Sequence, residues 1–196
     1  TAEIVVHQTW AYREDHPFFQ NERLPKEKHY SGAFPLYHRL KGTYREENQE
    51  DLTPDKMYAR LRVAYRRLAE AYHLRVIPVG DAFHAARQTP QWAFSYPDPK
   101  FNYENPVPGT VPSQIGSLNP GWRWETNAKT GRPEFTYDGW HANSEGMYLG
   151  ACVVYELLYE DSVLEVEFTP PGVRRGGGAQ LQQIAHQTAA RYRQQR

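Results

Sequence analysis

Apolar positions fall into a few short runs separated by long mixed stretches. Residues 2–10, AEIVVHQTW, carry a β-branched centre and a polar end, the pattern of a buried strand that delivers side chains to a sheet edge. From Ala11 to Asp51 charges, aromatics, Pro and Gly mix without a sustained period, which predicts loop with room for a short helix. Thr53-Pro54-Asp55 then reads as a helix start: Thr53 can cap, Pro54 suits the first helical position, and Asp55 favours the positive end of the dipole. Met57, Leu61, Ala64, Leu68 and Ala71 recur at intervals of four and three, while Arg60, Arg62, Arg66, Arg67 and Glu70 take the other faces. The helix therefore runs to the region of Tyr72. Leu74-Arg75-Val76-Ile77-Pro78-Val79-Gly80 follows as a second buried strand, with a helical segment from Asp81. Strand, helix, strand in this order implies a right-handed parallel crossover.

Residues 89–137 differ in composition, holding 8 of the 15 Pro together with Trp92, Phe94, Tyr96, Phe101, Tyr103, Trp122, Trp124, Phe135 and Tyr137. So many large aromatics argue against disorder, and the stretch is expected to be an ordered insertion. Beyond it, Asn143 or Ser144 can cap a helix whose Met147, Leu149, Ala151, Cys152, Val153, Val154 and Leu157 are apolar nearly all round, the signature of a buried helix. Val163, Leu164, Val166 and Phe168 suit a short edge strand. Gly176-Gly177-Gly178 then hinges into a last helix with Leu181, Ile184, Thr188 and Tyr192 along one side.

Composition narrows the function classes. The 196 residues balance 23 Lys+Arg against 23 Asp+Glu, so no field of one sign covers the surface, and nucleic acid or anionic membrane is a poor partner. The arginines that follow the last acidic residue, Glu167, read as a solvated helix face. A lone Cys152 excludes an internal disulfide and a cysteine-based zinc site. No stretch has the roughly 18 consecutive apolar residues that span a bilayer. A strand beginning within a few residues of Thr1 is what a cut chain would show.

Asp138-Gly139-Trp140-His141 is the clearest chemical constellation. An Asp three residues ahead of a His can accept the ring's Nδ1 proton, fixing the tautomer and leaving Nε2 as a base that activates a hydroxyl. The same string also suits an Asp and a His that only bond the start of a helix. His7 and Gln8, at the end of a strand in a parallel sheet, stand where ligands bind in such sheets, or pack in the core. Asp98, Asn102 and Glu104 have oxygens for Ca²⁺ but no recognisable loop spacing. A metal hydrolase built on His7, Asp138 and His141 lacks a paired-His motif, so no metal and no cofactor is expected.

The wider stretch D-G-W-H-A-N-S-E-G-M-Y-L-G-A-C-V-V-Y-E-L-L-Y, residues 138–159, closely resembles the last conserved block of the SGNH hydrolases, the GDSL-type esterase superfamily. V-H-Q-T-W-A-Y-R (residues 6–13) and the span from Met57 to Phe83 resemble a branch of the same superfamily, so about half of the chain is matched in the family's order. The resemblance implies an α/β fold of flavodoxin-like type, and a Ser-His-Asp triad in which Asp138 orients His141. The family's nucleophilic Ser in a G-D-S block, and its oxyanion-hole Gly and Asn, are absent from these residues. The chain thus reads as the C-terminal part of one SGNH-type domain, with the Ser supplied by an N-terminal part or by a second chain. The expected substrate is a carbohydrate ester, with Trp124 or Trp122 as stacking platform and Trp140 as a packing anchor; the other reading of the insertion's aromatics is a satellite core that holds the loop down. The alternative is a ligand-binding module without turnover.

Overall fold

The computed structural model describes residues 3–16, 19 and 52–194. The expected loop between Ala11 and Asp51 lies mostly outside them. Strand β1 (Val5–His7) pairs in parallel with β2 (Arg75–Ile77), in the register Val5 to Arg75 and His7 to Ile77. Helix α1 (Pro54–Tyr72) connects them and starts as its sequence dictates, with the Thr53 hydroxyl accepting from the Lys56 amide and Pro54 at the first turn. It ends at His73, whose φ of 52° is left-handed. This strand, helix, strand unit makes the chain α/β with a small parallel sheet.

Helix α2 (Val79–Arg87) begins two residues before the expected Asp81, directly behind Pro78. It has no side-chain cap of its own. Gln8 supplies one from β1: its carbonyl accepts from the Gly80 amide at 3.2 Å, and its side-chain oxygen accepts from the Asp81 amide at 3.1 Å. The Gln8 amide completes the clamp by donating to Asp81 Oδ1 at 2.8 Å. Otherwise unpaired helical N–H groups are thereby satisfied by a residue 73 positions away.

Residues 89–137 contain a hairpin that the Pro-rich composition hid. Strand β3 (Gly121–Thr126) pairs antiparallel with β4 (Pro133–Asp138). Two-residue alternation puts Trp122 and Trp124 on one face with Phe135 and Tyr137, and Arg123 and Glu125 on the other with Thr136 and Asp138. Trp122 stacks on Phe135 (5.0 Å, 13°), and Tyr103 closes against it edge-on.

Helix α3 (Ser144–Leu158) is capped by Asn143, whose side-chain oxygen accepts from the Glu145 and Gly146 amides. It is buried on one side only. Leu149, Cys152, Val153 and Leu157 join the core with Ile77, Val79, Phe83 and Trp92, whereas Met147 is 60% exposed. Helix α4 (Gly177–Gln194) packs along α3 through Leu181, Ile184 and Ala185. Burial pushes the Cys152 thiol up to about 11. The expected edge strand at Val163–Phe168 is instead a 3-10 turn, Val163–Glu165, because the Ser162 hydroxyl accepts from the Leu164 amide and the buried Glu156 carboxylate from the Val163 amide. Two arginines of the basic tail are also not merely solvated. Arg174 forks onto Glu145 and lies 4.2 Å over the Trp92 ring, and Arg193 bonds Glu156. Among the described residues no helix is long and apolar enough to cross a membrane.

Candidate active site

Asp138 is the last residue of β4, and the turn that follows it leads into α3. The local geometry is set by hydrogen bonds to both oxygens of that carboxylate. The His141 backbone amide donates to Oδ1 at 3.0 Å, and the His141 ring nitrogen Nδ1 lies 2.9 Å from Oδ2. Arg123, on the same hairpin face, donates to Oδ2 at 3.2 Å. Burial acts to raise the Asp138 carboxyl pKa, but the amide and ring of His141 and the Arg123 guanidinium outweigh it and hold the group below its ordinary value. An ionised carboxylate only accepts, so Nδ1 carries a proton, and in the neutral ring the lone pair is on Nε2. The Asp138 side chain is 10% exposed and that of His141 is 70% exposed. A buried, oriented acid thus stands behind a base open to solvent, and Nε2 has no hydrogen-bond partner among the described residues.

The turn between them is fixed carbonyl by carbonyl. The Arg13 amide donates to the Gly139 carbonyl at 2.9 Å, the Trp10 indole to that of Trp140 at 2.9 Å, and the Asn119 side chain to that of His141 at 2.7 Å. Arg13 itself is buried and forks onto Asp15 with two contacts of 2.6 Å. Asp15 also accepts from the Tyr137 hydroxyl (2.5 Å) and the Trp122 indole (2.9 Å). Burial, then the Asp15 charge, keeps the Tyr137 phenol well above its ordinary value, so the hydroxyl remains a donor. Arg13 also donates to Gln114 and Ser117, and the guanidinium lies 4.1 Å over the Phe94 ring. This buried salt bridge locks the segment after β1 to the aromatic face of the hairpin. Asp15 and Asn119 did not stand out in the sequence, and Trp10 and Arg13 stood out only as part of the 6–13 resemblance, with no role assigned.

The substrate residues expected from sequence fare differently. Gln8 is 2% exposed and occupied with capping α2, so it is a structural clamp. His7 is exposed, edge-on to the Trp10 ring at 6.4 Å, and no hydrogen bond joins it to Asp138 or His141. Trp122 is 5% exposed and bonded to Asp15, which closes it to any ligand. Trp124 donates to the Thr110 carbonyl at 2.7 Å, on the hairpin face opposite Asp138. The alternation along β3 therefore puts neither Trp122 nor Trp124 on the face of Asp138. Trp140 is half-buried, with His16 edge-on to it at 5.7 Å. Asp98 spends its oxygens on the Lys100 and Ser113 amides, and Asn102 on those of Glu104 and Asn105. Among the described residues no three His, Cys, Asp or Glu side chains converge as metal ligands do.

No protein-family model matches the sequence, and no curated protein does. Among solved structures the chain is similar to a DUF4886 family protein from Bacteroides uniformis, at a TM-score of 0.53 and 20% identity. The match covers 96% of this chain and 48% of that one, so the chain spans about half the length of the structure it resembles. At this identity the likeness concerns the fold alone.

Proposed function

We propose that this chain carries the His and the Asp of an SGNH-type serine ester hydrolase triad. The observation behind the reading is the Asp138–His141 pair, with one carboxylate held at both oxygens by a single His and that ring largely open to solvent. His141 Nε2 takes the proton of a Ser hydroxyl as the oxygen attacks the ester carbonyl. It then returns that proton to the departing alkoxide, leaving an acyl-enzyme that water hydrolyses by the same route. Asp138 stays ionised and stabilises the imidazolium.

The Ser comes from outside these residues in this reading, on an N-terminal part or a second chain that completes a flavodoxin-like, three-layer domain. Surface left without cover among the described residues supports this. Strand β1 pairs on one edge only, and α1 buries only Ala69 of its 19 residues while Val63, Leu68 and Tyr72 are 43–68% exposed. For the substrate we propose an acylated carbohydrate or similar polyol, without a cofactor. The hairpin face that carries Asp138 also carries Arg123, Glu125 and Thr136, groups that bond hydroxyls and offer no lining to a long acyl chain.

In the complete polypeptide, His141→Ala should lower hydrolysis of a simple acetyl ester about a thousandfold or more, with an unfolding midpoint close to the parent's. Unchanged hydrolysis would sink the assignment. The alternative is a binding module without turnover. A serine-directed phosphonate separates the two, since covalent labelling of the polypeptide or of a co-purifying chain supports the esterase and no labelling supports the binder.

A further inference from the structure

Two of the three bonds that pin the turn share a support in α2. Trp10, which holds the Trp140 carbonyl, stacks flat on Phe83 of α2 (4.4 Å, 9°). Asn119, which holds the His141 carbonyl, is 1% exposed and accepts from Arg87 of α2 at 3.0 Å. A guanidinium can only donate, so this bond fixes which end of the Asn119 amide is oxygen and aims its N–H group at His141. The Ser117 hydroxyl secures the same residue by donating to its carbonyl and accepting from its amide. Arg87 also donates to the Tyr12 carbonyl at 3.1 Å, tying in the segment that carries Trp10. Phe83 and Arg87 lie four residues apart on one face of α2, the helix that Gln8 anchors to β1.

We infer that Trp10 and Asn119 are positioning residues that set the place of the His141 ring through its own and the preceding carbonyl, with Phe83 and Arg87 of α2 as their backing. The inference rests on the esterase reading. A base displaced by a fraction of an ångström loses rate without losing substrate, because these bonds reach the backbone of the turn and not the ligand.

Two variants test this in the complete polypeptide, with a small acetyl ester as probe. Trp10→Phe removes the indole N–H while keeping a ring on Phe83, and Asn119→Ala removes the amide. Each should lower kcat about tenfold with KM unchanged. The decisive comparison repeats both in a His141→Ala background, where neither should lower the residual turnover further. A kcat that does not fall, or a fall of the same size without His141, overturns the positioning role while leaving the esterase intact. If His141→Ala alone leaves turnover unchanged, the esterase reading fails and this inference with it.

Discussion

Replacing Gly139 by Ala puts one methyl group into the most crowded corner of the Asp138–His141 turn. Built on the existing backbone, that methyl carbon stands 2.5 Å from Tyr137 Cζ and 2.7 Å from Cε1, and it meets the hydroxyl as well. Carbon atoms at rest stand about 3.5–4.0 Å apart, so the ring must move by close to 1 Å. It has little freedom to do so: Tyr137 is 7% exposed, lies 4.8 Å from Trp122, and donates to Asp15 at 2.5 Å. Overpacking of this kind costs roughly 1–3 kcal/mol, and a strained buried hydrogen bond about 1 kcal/mol more, for an expected loss of about 3 kcal/mol. Urea unfolding measures it as a lower midpoint at constant slope. Tyr137→Phe added to Gly139→Ala removes only the hydroxyl, so the pair should recover part of the loss relative to Tyr137→Phe alone. Gly139→Ala within about 0.5 kcal/mol of the parent would refute the reasoning, and so would complete recovery in the pair, because the ring carbons would then be no obstacle.

His16 is 5% exposed, and its imidazole is pushed down to about 3, by burial first and then by the Arg13 charge. The unfolded chain therefore takes up this proton first, so the stability is complete above pH 6.5 and declines towards pH 3, by at most about 1.4 kcal/mol per unit. His16→Phe should flatten the decline between pH 6.5 and 4.5 in urea titrations, and parallel curves would contradict this. Asp15→Asn leaves the Arg13 guanidinium buried without its counter-ion and should cost about 3–5 kcal/mol, whereas Arg13→Met with Asp15→Leu should cost less. Thermal unfolding that ranks the double variant below the single one would overturn this. Trp124→Ala should change kcat and KM for a sugar acetate by less than about twofold, and a selective rise in KM would return Trp124 to the substrate side.

Local signals were legible in the sequence and distant ones were not. The caps at Thr53 and Asn143 and the three-and-four spacing of α1 are decided within one turn of chain. Asp138 and His141 are three residues apart, so their pairing could be read as a local turn. The alternation Trp122-Arg123-Trp124-Glu125 against Phe135-Thr136-Tyr137-Asp138 was present in the hairpin, but among the surrounding prolines the stretch read only as an insertion with no element assigned. Missing that alternation also misplaced the two tryptophans, because strand direction decides which face a side chain joins. Trp10 and Asn119 act on the turn from 130 and 22 residues away, and no periodicity encodes such contacts. Gln8 was assigned to substrate because a polar residue at a strand end looks the same whether it meets a ligand or the amides of a following helix.

The single Cys152 has a consequence for experiments. Alkylating reagents react with thiolate, and a thiol at about 11 exposes only about one thiolate in ten thousand at pH 7, here with its sulfur closed inside the core. A cysteine introduced at Lys129, in the exposed turn between β3 and β4, would carry an ordinary accessible thiol. Maleimide dyes or spin labels would then attach at the hairpin tip alone, without the native cysteine first being removed. Fluorescence or resonance from that one probe can follow the hairpin while ester is added, against a chain that is otherwise silent to the label.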